Sequence, residues 1–204
     1  MEYSCKLGDP EKLKSACLVV GVFKNNHLTA PGQALDAALG GQLKAVFHRQ
    51  DFNADIGQTQ MLYEPHDCEE ARILLVGMDE RSKLSARQFG LALAAAFQQL
   101  EKSGATDCLV LLPSDAGDDS VYRLVREAVH AAEGAVYRFD QCKSESTPPK
   151  RPLKRVSFLL QSRDQMKAAK RATAHGLAIG MGSRLARDLA NLPGNICTPS
   201  YLAD

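Results

Sequence analysis

Residues 71–100 read ARILLVGMDERSKLSARQFGLALAAAFQQL, and two periodicities meet inside them. ARILLVGM (71–78) is a continuous apolar run, the pattern of a strand buried on both faces. After a polar turn, Phe89, Leu93, Ala96, Phe97 and Leu100 recur at helical spacing and form one apolar stripe. A buried strand followed by an amphipathic helix is the repeating unit of a layered α/β fold.

The same alternation extends in both directions. SACLVVGVF (15–23) and DCLVLLP (107–113) are further buried strands, the second stopped by Pro113. GQTQMLYEP (57–65) reads as a less buried strand and RVSFLLQ (155–161) as the last one. Leu35, Leu39, Leu43, Val46 and Phe47 form a second helical stripe, inside which Gly40-Gly41 is expected to break or kink the helix. Val121, Leu124, Val125, Ala128 and Val129 form a third. The fold class predicted is α/β: a three-layer domain with a central mixed sheet. KSESTPPKRP (143–152) is polar and proline-rich, a surface loop or crossover.

A change of scale follows. Ser162 and Gln165 read as a capping box, and from there helical patterning runs to about Asn191, before Pro193 and Gly194 end it. That is roughly eight turns. One line along it holds Ala169, Ala172, Gly176, Gly180 and Ser183, so another backbone is expected to approach closely there. A helix of this length reads as a connector between two bodies. Beyond it, Thr198 and Pro199 are an N-cap and a first-turn proline, with only Ser200 to Asp204 after them. That ending predicts a chain that stops at the threshold of a further domain.

Composition narrows the class. The chain has 204 residues, 45% hydrophobic and 24% charged, with no tryptophan, so its core is aliphatic. The start shows no basic stretch followed by a long apolar one, and no apolar run reaches membrane-spanning length, which predicts a soluble intracellular protein. Cysteines at 5, 17, 68, 108, 142 and 197 include no C-x-x-C pair, as expected of reduced thiols rather than a disulfide frame or structural zinc site.

The last twenty residues carry a resemblance. Ala186-Arg187-Asp188-Leu189, then Asn191, Pro193, Asn195 and Thr198-Pro199, resemble the joint between the two domains of leucyl (cytosol) aminopeptidases, the bacterial aminopeptidase A type among them. Gly194 stands where the family usually has a second proline. The upstream layout of strands and helices, including LLVGM before a Ser/Ala-rich helix, is similar to the family's amino-terminal domain.

The resemblance implies a macro-domain-like α/β domain over residues 1–161, an interdomain helix over 162–193, and the start of a catalytic domain over 194–204. It implies a cytoplasmic, hexameric parent enzyme that releases amino-terminal residues from peptides with two divalent metal ions, manganese or zinc. The family's metal-ligand motifs, K-G-I-T-F-D-T-G-G and N-T-D-A-E-G-R-L, do not occur here. A dinuclear peptidase needs such a carboxylate cluster to hold its ions and activate water. The expectation is therefore no catalytic residue, no metal ligand and no peptidase activity in this chain.

Other candidate sites read as structural. His66-Asp67-Cys68 is the densest group of metal-ligating types, but no second cluster stands at ligand spacing, and it reads as a polar turn. Asp115, Asp118 and Asp119 precede a helix, where capping and the helix dipole favour acids. Gly77 and Gly40-Gly41 lack the glycine density of a phosphate cradle.

The charge distribution supplies the alternative function. Residues 143–171 hold nine Lys/Arg against two acids, while the whole chain is only +1. Some bacterial members of the family bind DNA with participation of their amino-terminal domains. The residues assigned to that reading are Lys143, Lys150, Arg151, Lys154, Arg155, Lys167, Lys170 and Arg171. Against it stands the plainer view of a solvated linker and helix face.

Overall fold

The computed structural model describes residues 1–47, 52–65, 72–113, 118–144 and 151–203. Seven strands form one mixed sheet. They are β1 (Glu2–Leu7), β2 (Leu18–Phe23), β3 (His27–Leu28), β4 (Thr59–Tyr63), β5 (Arg72–Gly77), β6 (Asp107–Leu111) and β7 (Arg155–Leu160). The order is β1-β7-β6-β2-β5-β4, with β3 pairing beside the end of β2. Pairs β1/β7, β7/β6, β6/β2 and β2/β5 are parallel, whereas β4 lies antiparallel on β5 and closes that edge.

Burial on both faces explains the continuous apolar strands. All six residues of β2 are buried. Val19, Leu74, Cys108, Val110, Val156 and Phe158 point into one core. Leu18, Val20, Leu75, Leu109 and Leu159 point into the other. The first core is roofed by α3 (Ala86–Ser103), α4 (Asp118–Ala135) and the early turns of α5 (Gln165–Asn191). The second is roofed by α1 (Ala30–Ala38) and α2 (Gln42–Phe47). A short α6 (Pro199–Ala203) follows. The three layers are those predicted.

Several details differ from the sequence reading. β1 is a strand that no apolar run announces: EYSCKL alternates polar and apolar residues along the sheet edge, all partly buried after Glu2. What holds it is pairing with β7 at full length, from Glu2 opposite Arg155 to Leu7 opposite Leu160. Tyr3 stacks parallel to Phe158, and its hydroxyl donates to Glu133 Oε1 of α4 at 2.8 Å. Burial, then Glu133, pushes the Tyr3 hydroxyl far above its ordinary pKa.

The stripe over 35–47 belongs to two helices. Gly40 and Gly41 have φ of +64° and +87°, and nothing lies within 4 Å of a Cβ built on either, so conformation and not space calls for glycine. Buried Asp36 then caps α2: its Oδ1 accepts from Leu43 N at 2.9 Å and Lys44 N at 3.2 Å. Removing that carboxylate orphans two backbone donors at a helix start. Asp36→Ala should therefore lower stability by about 1–2 kcal/mol in urea titration. An unchanged midpoint would show that α2 does not depend on this cap.

Candidate functional site

The helix predicted to start at Ser162 begins at Gln165. The expected capping box is displaced, because Gln165 Oε1 accepts from Gln161 N at 3.0 Å and Asp164, the N-cap residue, makes no side-chain cap bond. The small-residue row packs as a close-approach surface against α4 of the same domain. A Cβ on Gly176 would lie 2.8 Å from Val129 Cβ and 2.9 Å from the Arg126 carbonyl oxygen. One on Gly180 would lie 2.8 Å from Glu133 Cγ. Ala169 and Ala172 are fully buried below them. Ser183 ends the row, its Oγ 3.3 Å from His130 Nε2.

Polar side chains flank this dry contact. Tyr122 OH lies 2.7 Å from His175 Nδ1. Arg171 and Arg126 stand over the Tyr122 ring with Cζ at 5.0 and 5.7 Å from its centroid. Glu127, bonded to Arg126 at 2.9 Å, holds that guanidinium above its usual pKa. Further along, Tyr137 OH donates to Asp188 Oδ1 at 2.9 Å and accepts from Asn191 Nδ2 at 3.2 Å. The Tyr122–His175, Tyr137–Asp188 and Tyr137–Asn191 pairs were not legible beforehand, since each joins residues 51 to 54 positions apart. The signal available was indirect: the small row implied a second helix at close range without saying which.

Past Gly180 the far side of α5 is exposed among the described residues. Met181 is 70% exposed and Leu185 61%, and a Cβ on Gly182 would touch nothing. Ile179, Ile196, Tyr201 and Leu202 are also exposed. Six of the nine large exposed apolar side chains among the described residues therefore fall between 179 and 202, a concentration that marks an interaction surface. Within this stretch α6 is capped as its sequence suggests, with Tyr201 N donating to Thr198 Oγ1 at 3.2 Å.

The residues assigned to nucleic acid are spread over several elements. Lys143 is paired with Asp140 at 2.9 Å and Arg155 with Glu2 at 3.2 Å. Arg151 runs beside Gly104, and Lys154 precedes β7, its N–H bonded to the Thr106 carbonyl. Lys167, Lys170 and Arg171 occupy the opening turns of α5, whose inner face roofs the first core. In the chain, β7 and the turn into α5 stand between Arg151 and Lys154 and these three. Lys150 lies outside the described residues.

His66, Asp67, Cys68 and Asp115 also lie outside the described residues, and Asp118 and Asp119 are placed by backbone only, in the first turn of α4. Among the described residues no group of three or more His, Cys, Asp or Glu is arranged to hold a metal ion. Gly77 is accounted for by packing: a Cβ there would strike the Asp55 carbonyl oxygen.

The family model described as "Cytosol aminopeptidase family, N-terminal domain" matches residues 19–146. A probable cytosol aminopeptidase of Alkalilimnicola ehrlichii is 39% identical over 206 residues, covering 100% of this chain and 41% of that protein. One from Tolumonas auensis is 37% identical with the same coverage. The chain thus spans about two fifths of the length of these curated relatives. Among solved structures, a mutant tomato leucine aminopeptidase matches with a TM-score of 0.81 at 24% identity, over 100% of this chain and 40% of that one. The bottromycin maturation enzyme BotP in complex with Mn matches with a TM-score of 0.65 at 24% identity, over 94% and 35%. These structural likenesses are likenesses of fold.

Two glycines one turn and a half apart on α5 separate the packed side from the free one. Gly176→Ala, whose methyl meets backbone and a β-branched side chain, should cost about 1–3 kcal/mol. Gly182→Ala, in open space, should be neutral or stabilise by up to about 1 kcal/mol. Equal effects in thermal unfolding would mean that α5 is not seated on α4 as described.

Proposed function

We propose a function from this premise: the chain belongs to the cytosol aminopeptidase family and is built as its amino-terminal domain. The parent protein is read as a cytoplasmic, metal-dependent leucyl aminopeptidase that removes amino-terminal residues from peptides. In this reading residues 1–161 are the α/β domain, 162–193 the interdomain helix and 194–204 the entry to the catalytic domain. The two metal ions, manganese or zinc, and the catalytic residues belong to that other domain, which also holds a hexamer together. This chain orients the connecting helix and contributes no ligand.

The observation that supports the reading is the uncovered apolar strip on α5 and α6. Met181 and Leu185 stand on the side of α5 turned away from α4, where a second domain would remove them from solvent. The experiment has two arms. Leu185→Asp in the 204-residue chain should change stability by no more than about 0.5 kcal/mol, since the site is exposed. In the full-length parent the same change places a carboxylate in an apolar interface and should cost about 2 kcal/mol or more. Leucine-anilide hydrolysis with manganese, read alongside, should belong to the parent alone. Turnover by the short chain, or an unaffected parent, would overturn the proposal.

A second reading, DNA binding through the basic segment 143–171, has one local support. Lys167, Lys170 and Arg171 share the opening turns of α5 beside Arg126 of α4. Lys143 and Arg155 already have carboxylate partners. With a DNA duplex, Lys167→Ala with Lys170→Ala should reduce the salt slope of binding by about 1–2, while Lys143→Ala should leave it nearly unchanged. Absence of binding at 50 mM salt would remove this reading.

A further inference from the structure

On the outer surface, α3 and α4 run side by side and leave a groove of about 550 Å³ between them. The floor is made of Gly90 and Ala94 from α3 and Ala131 and Gly134 from α4, with Leu91 more than half exposed at the lip. The domain's own packing accounts for Gly90, since a Cβ there would lie 3.2 Å from Glu127 Cβ. It does not account for Gly134. The nearest atoms to a Cβ on Gly134 are the guanidinium nitrogens of Arg187, at 3.9 and 4.0 Å.

Arg187 reaches this groove from α5, on the same side of the helix as Gly180 and away from the Met181–Leu185 strip. Arg187 is exposed, and its guanidinium lies over the Tyr137 ring with Cζ 5.3 Å from the centroid. Tyr137 is in turn tied to Asp188 and Asn191. No carboxylate among the described residues pairs with Arg187. Arg87 stands at the other end of the groove, exposed and likewise without a carboxylate partner among the described residues. Glu127, the acid that lines the groove, is already engaged by Arg126 at 2.9 Å.

A guanidinium favours planar bidentate pairing with a carboxylate. Small residues beneath it leave room for aliphatic side chains of a visiting segment. We infer that the α3–α4 groove docks an acidic polypeptide segment of a partner protein. Carboxylates of that segment meet Arg187 and Arg87 at the two ends, and small aliphatic side chains rest on the Gly90–Gly134 floor. The docking uses neither the free strip of α5 nor the basic opening turns of that helix, so it stands apart from both readings above.

The test uses the isotope-labelled 204-residue chain and an acetylated peptide amide, (Glu-Ala-Ala-Leu)₃, with its Gln-for-Glu counterpart as control. Saturable shift changes are expected at Gly90, Ala94, Gly134 and the Arg187 side chain. The Gln peptide should bind at least tenfold more weakly. Arg187→Gln should weaken the Glu peptide fivefold or more, and Arg187→Lys should restore only part of that loss. Gly134→Leu, which fills the groove, should abolish binding while the resonances of β2 stay in place. Equal binding of both peptides, changes confined to other surfaces, no saturable change at millimolar peptide, or stronger occupation of the same residues by a DNA duplex would each overturn the inference.

Discussion

The α-carbon of Gly176 lies so close to Val129 and to the Arg126 carbonyl that no side chain fits between the two helices. That contact, repeated one turn on at Gly180 against Glu133, locks the register of α5 on α4. Everything functional on the helical face follows from it. With the glycine row turned inward, His175 meets Tyr122, Ser183 meets His130 and Asp188 meets Tyr137. The same rotation turns Met181 and Leu185 outward and suspends Arg187 over Gly134. A glycine in a helix interior is intrinsically unfavourable by roughly 1 kcal/mol, and the close contact offsets that weakness.

The layered fold was legible because a sheet buried on both faces needs uninterrupted apolar strands, and LVVGVF and RILLVG are such strands. Stripes at 3.6-residue spacing gave the helices above it for the same reason. β1 was not legible, since an edge strand needs no apolar run and EYSCKL owes its place to a partner more than 150 positions away. The stripe over 35–47 hid a corner, where Asp36 reaches forward seven residues to cap the next helix. The long helix was readable as a local pattern. Which surface the glycine row faces, and that Tyr122, Tyr137 and Arg187 gather along it, depends on packing between distant segments. The basic segment looked continuous in sequence, but β7 passes through it, with Arg151 and Lys154 before the strand and Lys167, Lys170 and Arg171 on the helix after it.

The domain is therefore divided in what it offers. Its sheet and inner helix faces are consumed by the two cores. The outer faces of α3, α4 and α5 remain, and they differ in chemistry: an apolar strip on one side of α5, a small-residue groove under two arginines on the other.

The pairing of β1 with β7 also sets a schedule. During synthesis the strand Glu2–Leu7 is made about 150 residues before the strand it will lie beside, which at typical elongation rates is an interval of about 8–30 s. Through that interval its hydrogen-bonding groups have no sheet to join. A strand of Val, Ile and Leu waiting so long would be a template for wrong partners. The polar alternation of EYSCKL, which hid it from the sequence reading, suits a segment that must stay in water until the rest of the sheet has been built.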